Sequence, residues 1–105
     1  MVRGEVFRLS PRGQSRGHEQ AGPRYAVVVQ SDDMLGMSTA IVAPTSTRAQ
    51  PATFRPTIDL LGTETRVMVD QVRAVDVRRL GKSAGRLDVG EVRALDDALR
   101  LVLGL

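Results

Sequence analysis

The run Tyr25–Gln30, YAVVVQ, constrains the fold more than any other stretch. It is too short for a stable helix, has no 3.6-residue period, and carries three successive β-branched valines. Successive side chains of a strand point to opposite faces, so this run needs apolar cover on both sides and reads as a buried central strand. Ser10–Pro23 ahead of it is rich in Pro, Gly and polar residues and reads as a long loop. Behind it Ser31–Gly36 turns the chain and Ser38–Ala43 (STAIVA) is the next strand, which Pro44 is expected to end for want of an N–H. Arg16–Ala43 is therefore loop, strand, loop, strand. That order places Glu19, Gln20 and Arg24 on a loop beside a sheet, where a rigid scaffold can present functional groups.

The remaining runs are also short. GEVFRL at Gly4–Leu9 alternates enough for a first strand with Val6 buried. Thr53–Leu60 reads as a strand whose Pro56 favours an edge or a bulge, Leu61–Glu64 as a turn, and Arg66–Val69 and Gln71–Val77 as two further strands. Arg78–Gly81 suits a short helical turn. The end differs in kind: Asp88-Val89-Gly90-Glu91 has the form of a capping box, and Val92, Leu95, Leu99 and Val102 recur at spacings of three and four, one stripe of an α-helix. Five or six short strands before one helix predict a mainly β chain with a C-terminal α-helix, folded as a small barrel or strongly curled sheet over residues 1–105 as a single domain.

Composition narrows the partners. With one Tyr, two Phe and no Trp, the core must be Val, Leu, Ile and Ala, and stacking of bases on aromatic rings is a minor resource. Net charge is +3, and 14 of the 15 basic residues are Arg. The planar guanidinium fork fits phosphate in bidentate fashion, although high genomic G+C content raises Arg equally well. The excess lies in residues 1–56, where seven Arg face four acids; residues 57–105 balance eight against eight. No Cys is present, which excludes a disulfide framework and a thiolate metal site. No apolar run approaches the ~20 residues needed to span a bilayer, and Arg3, Glu5 and Arg8 interrupt the start, so no membrane role and a cytoplasmic location are expected. Arginine beside the hydroxyl-rich stretch Thr45-Ser46-Thr47-Arg48 suits a phosphate better than a core, which points to a nucleic-acid phosphodiester.

Four pieces in order, GEVFRL, RGHEQAGPRYAVVVQSD, TAIVAPTST and DQVRAVD, resemble the MazF/PemK family of toxins from toxin–antitoxin pairs, over essentially the whole chain. The family loop is G-[ST]-E-Q-x-G-x-R-P followed by an apolar strand and [QS]-[ND]; here it reads Gly17-His18-Glu19-Gln20-Ala21-Gly22-Pro23-Arg24-Tyr25. His18 stands where that pattern has Ser or Thr, and Tyr25 where it has Pro. The family's catalytic Thr follows a strand in a pattern like V-x-P-[LVI]-T-[ST]; aligning Pro44 puts Ser46 at that place, between Thr45 and Thr47. The resemblance implies an SH3-like barrel of the kind shared by MazF, PemK and CcdB, usually a homodimer. It also implies a sequence-specific, metal-independent endoribonuclease acting on single-stranded RNA, without a cofactor. An antitoxin would inhibit it by laying an acidic, extended segment across the RNA groove.

Metal-free RNA cleavage uses the adjacent 2′-hydroxyl as nucleophile. It needs a proton acceptor, a donor to the departing 5′-oxygen, and positive charge for the phosphorane. Arg24 fits the last two, since a guanidinium concentrates charge and donors but does not act as a base. Ser46 can donate to a non-bridging phosphate oxygen. Glu19 is the carboxylate near enough in sequence to be a base, and it can equally pair with Arg16 or Arg24. Arg16, His18, Gln20, Thr45, Thr47 and Arg48 are the candidate RNA-binding residues, with the loops Ser10–Gly17 and Ser31–Met37 as readers of the RNA sequence. The three hydroxyls also suit routine turn formation, and a lone loop His is more often a bystander. Asp32-Asp33 reads as a turn rather than a metal pair, and Gln71 and Arg73 as strand residues with a structural or groove-lining role. Two functions from other classes compete: a non-enzymatic toxin of the same fold that poisons DNA gyrase, as the CcdB family does, and a plain RNA-binding barrel whose affinity comes from phosphates and falls steeply with salt.

Overall fold

In the computed structural model, which describes residues 1–10, 24–34 and 36–105, Tyr25–Val28 (β2) runs through the middle of a seven-stranded antiparallel sheet. It lies between Glu5–Leu9 (β1) and Thr39–Ser46 (β3). Beyond β3 come Thr63–Val67 (β5) and then Thr57–Leu60 (β4), while Arg73–Asp76 (β6) also pairs with β3 and Leu80–Arg86 (β7) with β1. Three-residue 3-10 turns occupy Asp32–Met34, Val69–Gln71 and Val77–Arg79, and the chain closes with the helix Val89–Leu103 (α1).

The double burial expected of YAVVVQ is met by two apolar clusters, one on each face. Val27 and Val29 join Val6, Ala43, Ile58, Leu60, Val67 and Val69 beneath Leu95, Ala98 and Leu99 of the helix. Ala26 and Val28 point the other way, onto Leu9, Ala40, Val42 and Val75. A flat sheet could not enclose both clusters. The eight-residue β3 curls it, pairing with β6 over Thr39–Val42 and with β5 at Thr45 and Ser46. The result is a half-barrel with the helix packed across one face.

Pro44 does not end its strand, contrary to the sequence expectation. It pairs with Ala26 on β2, and its carbonyl accepts from Met68 N at 2.7 Å. The N and C=O of one strand residue face the same side, so the missing N–H falls on the edge where β3 passes from β6 to β5 and no ladder partner stands. Other boundaries shift as well. β4 begins at Thr57 rather than Thr53, and the turn is only Leu61 and Gly62. β5 starts at Thr63, before the Arg66–Val69 expected for it, and Gln71 lies in a 3-10 turn rather than a strand. β7, LGKSAGR, carried no strand signal: it lacks β-branched residues and holds two glycines. It forms against β1 with a bulge at Gly85, whose φ of 112° suits glycine.

The β4–β5 turn is a two-residue hairpin in which both Leu61 (φ 52°) and Gly62 (φ 86°) adopt positive φ. That matches the twist of the strands but places a Leu, 68% exposed, in the left-handed region. Leu61→Asn is therefore expected to raise stability by up to about 1 kcal/mol in urea unfolding, since Asn tolerates that region far better.

The helix starts as its sequence predicts. Glu91 N donates to Asp88 Oδ1 at 2.7 Å, and Asp88 N donates to Glu91 Oε1 at 2.9 Å. The second Glu91 oxygen accepts from Asp59 N at 2.8 Å, which fastens the cap to β4. Of the expected stripe, Leu95 and Leu99 are buried, Val92 half-buried, and Val102 exposed with Leu101, Leu103 and Leu105. Leu95 is completely enclosed, so Leu95→Ala should lower unfolding free energy by about 2–5 kcal/mol, read from the urea midpoint. Among the described residues no helix is long and apolar enough to cross a membrane.

Candidate functional site

The strand register brings the residues of interest into one row. Ala26 pairs with Pro44, Val27 with Ala43 and Val28 with Val42. Continued by two residues, that register sets Arg24 across from Ser46. The strand pairing ends at Ala26 and Pro44. One residue further Thr45 Oγ1 still donates to Tyr25 O at 3.2 Å, so the step to Arg24 and Ser46 extends the register by one residue beyond the last contact between the two strands. On its other edge β3 pairs Ser46 with Arg66, and β5 pairs Arg66 with Thr57. The row across the sheet thus reads Arg24, Ser46, Arg66, Thr57. It lies on the face opposite the helix, because Thr45, Thr65, Val67 and Ile58 alternate inward while their neighbours point outward. The apolar cover of this face, from Ala40, Val42 and Val75, gives way to polar side chains where β3 passes Pro44.

The three hydroxyls are not equivalent in this setting. Thr45 donates its proton to the Tyr25 carbonyl, and so serves the strand pairing. Ser46 Oγ accepts from Arg48 N at 3.0 Å, a tight turn that uses a lone pair and leaves the O–H free to donate outward. Thr47 is exposed at the bend after the strand, and Arg48 follows, also exposed. Arg24 is exposed, and its carbonyl accepts from Leu9 N at 2.8 Å, so its backbone is fixed by β1.

A second group of contacts shapes the far side of the row. Arg55 Nε and Nη2 donate to the two oxygens of Asp70 at 3.1 and 2.9 Å, and Nη1 donates to Gln50 O at 3.2 Å. Its guanidinium also stands over the Phe54 ring, 5.4 Å from the centroid. The hydrogen bonds from Arg55 hold the Asp70 carboxyl below the usual carboxylate range. The Arg55 carbonyl in turn accepts from Arg66 Nη1 at 2.8 Å. Sequence reading placed Arg66 in a strand and gave it no role; only the cross-strand register, invisible without the fold, sets it beside Ser46.

Arg16, His18, Glu19 and Gln20, together with most of the Ser10–Gly17 reader loop, lie outside the described residues. The other proposed reader, Ser31–Met37, of which Leu35 lies outside the described residues, is tied to its flanks. Gln30 donates to Met34 O at 3.0 Å and accepts from Ile41 N at 3.2 Å, and Asp32 accepts from Arg3 N at 2.7 Å. Asp32 and Asp33 open the 3-10 turn, in keeping with their reading as turn residues. Arg73 begins β6 opposite Val42 and is exposed, while Gln71 N donates to Met68 O within its turn. Asp76, pushed down to about 2 by its hydrogen bonds from Arg78, caps the next turn rather than joining the row. Among the described residues no three His, Asp or Glu side chains gather as a metal cluster.

A small curled β half-barrel, covered by one terminal helix and carrying a hydroxyl between two arginines at the end of its longest strand, defines a compact class of single-sheet proteins. The chain belongs to the PemK-like, MazF-like toxin family of type II toxin–antitoxin systems, whose model matches residues 2–103. It is 42% identical over 106 residues to a Mycobacterium tuberculosis H37Rv protein described as a candidate toxin, covering 100% of this chain and 99% of that one. It is 34% identical over 118 residues to endoribonuclease MazF9 of the same organism, covering 100% and 98%. The crystal structure of MazF from Deinococcus radiodurans superposes with a TM-score of 0.79 at 26% identity, covering 100% of this chain and 97% of that one.

Proposed function

We propose that this protein is a sequence-specific, metal-independent endoribonuclease that cleaves single-stranded RNA and is held in check by a cognate antitoxin. The observation that carries the reading is the row in which Ser46, with an outward-facing hydroxyl, stands between Arg24 and Arg66. The substrate's own 2′-oxygen attacks the adjacent phosphorus and the bond to the 5′-oxygen breaks, leaving a 2′,3′-cyclic phosphate and a 5′-hydroxyl. Glu19 takes the 2′ proton. Arg24 neutralises the phosphorane and donates the proton that the departing 5′-oxygen takes, regaining one from water, while Ser46 donates a hydrogen bond to a non-bridging oxygen. Arg16, His18, Gln20, Thr47 and Arg48 bind flanking phosphates or bases; Thr45 supports the strand pair beneath them. The family description and the endoribonuclease name of a 34% identical relative favour cleavage over gyrase poisoning.

The test is cleavage of a panel of single-stranded RNAs in excess EDTA. Products that share a few-nucleotide motif and end in cyclic phosphate are expected. Failure to cut RNA, with arrest of DNA gyrase instead, would move the protein to the non-enzymatic class.

The reading includes a homodimer in the cytoplasm. Met34, Ile41, Leu103 and Leu105 are exposed around an open cleft of about 480 Å³ that also meets Val72 and Leu99, an apolar surface that a second copy would cover. Two basic faces would then form one groove for RNA, and an acidic, extended antitoxin segment would compete for it. Light scattering should give a mass near twice 11.4 kDa. A stable monomer at micromolar concentration, fully active on RNA, would remove the dimeric groove.

A further inference from the structure

We propose that Arg66 binds a backbone phosphate of the RNA next to the one being cut, and that Arg55 is the positioning residue that holds it there. The inference rests on the endoribonuclease reading and extends it to the far side of Ser46.

Arg66 stands directly across β3–β5 from Ser46, on the polar face of the row. Its side chain leans away from Ser46 toward β4, because Nη1 donates to the Arg55 carbonyl at 2.8 Å. The two guanidinium-bearing strands are separated by β3, roughly 10 Å apart across the sheet, with the hydroxyl between them. A phosphate held by Arg24 and Ser46 therefore leaves Arg66 beside its neighbour on the strand, not on the same group.

Charge points the same way. The described ion pairs engage Arg3, Arg55, Arg78 and Arg100, and Arg66 is in none of them. A half-buried guanidinium bonded to a carbonyl but not to a carboxylate keeps its net charge for an anion. The next outward-facing pair on the same hairpin is Asp59 opposite Glu64, two carboxylates. An anionic backbone is repelled there, so its path runs across the strands from Arg24 through Ser46 to Arg66, not along the hairpin.

Arg55 fixes the geometry. Its fork is closed on Asp70, and a third contact reaches Gln50 O, so its carbonyl is presented to Arg66 from a pinned segment. Three of the five N–H groups of Arg55 are engaged and its charge is paired with Asp70, so its part is to position Arg66.

The experiment measures binding of a single-stranded oligonucleotide carrying a 2′-deoxy sugar at the cleavage position, across a series of salt concentrations. Uncleaved, it reports affinity without turnover. Neutralising one phosphate contact should weaken binding and lower the slope of log affinity against log salt by about 0.7. Arg66→Gln is expected to do this, with a five- to tenfold rise in KM and little change in kcat at saturating RNA. Arg66→Lys keeps the charge and should restore the slope. Arg55→Ala should raise KM while leaving the slope near that of the unaltered protein, because the charge of Arg66 remains.

A wild-type slope in a folded Arg66→Gln variant, with only its urea midpoint lowered, would overturn the proposal and reduce Arg66 to a staple for the 47–56 segment. Should Arg66→Gln fail to fold, Arg66→Met, which keeps the length of the side chain without its charge, decides by the same slope: an unaltered slope in folded protein counts against a phosphate contact. Cleavage by the unaltered protein with no effect at Arg66 would sink this inference alone. Absent cleavage, with the slope still falling in Arg66→Gln, would sink the enzymatic reading and leave the phosphate contact standing.

Discussion

Arg24→Ala is expected to abolish growth arrest and to reduce RNA cleavage by more than the 10²–10³-fold typical of one lost transition-state donor, because charge and donors are lost together. The fold should survive the change. Arg24 is exposed, it sits one residue before β2, and the contact that fixes it uses its backbone carbonyl, which accepts from Leu9 N. Surface truncations away from special features stay within about 0.5 kcal/mol, so the urea midpoint should hardly move. The check is a pair of measurements on one preparation: single-turnover cleavage and urea unfolding. A well-folded Arg24→Ala variant that still arrests growth would show that the phosphorane is stabilised elsewhere. A lowered kcat at position 24 beside a raised KM at position 66 would also separate transition-state binding from ground-state binding.

Where burial decided structure, the sequence was readable. YAVVVQ reads as a strand covered on both faces; the strand spans its first four residues, Tyr25–Val28, and two clusters cover it. The Asp88–Glu91 capping box is local chemistry and forms as the sequence predicts; of the stripe Val92, Leu95, Leu99 and Val102, Leu95 and Leu99 are buried, Val92 is half-buried and Val102 is exposed. The departures occur where tertiary pairing overrides local preference. LGKSAGR has little to recommend it as a strand, yet β1 offers an open edge and Gly85 absorbs the bulge. Pro44 looked like a stop because its missing N–H is costly in most ladders; here that edge has a gap between β6 and β5.

The site divides the same way. Arg24 and the hydroxyls after Pro44 are visible because they are close to strand ends in sequence. Their alignment across β2 and β3 depends on register, and so does the presence of Arg66 beyond Ser46. Arg66 stands forty-two positions after Arg24, and no spacing rule connects them.

Ser46→Ala is expected to cost on the order of 10²–10³-fold in cleavage rate, and Ser46→Thr to retain activity. The argument rests on what each hydroxyl already does. Thr45 gives its proton to the Tyr25 carbonyl, so Thr45→Ala loosens a strand contact and should cost about 1 kcal/mol of stability with a modest effect on rate. Ser46 Oγ accepts from Arg48 N and donates to no described residue, so under the proposed mechanism its proton is the one offered to a phosphate oxygen. Threonine supplies the same oxygen and proton, and its extra methyl projects from a half-buried position at the end of a strand, where β-branched residues are favoured. The measurement is kcat at saturating RNA for the three alanine variants and the Thr variant, each checked by urea unfolding. If Thr47→Ala or Thr45→Ala proves the crippling change while Ser46→Ala stays active, the donor lies one residue away. The row of Arg24, Ser46 and Arg66 would then lose its central member, and the phosphate would have to sit over the bend at Thr47 instead.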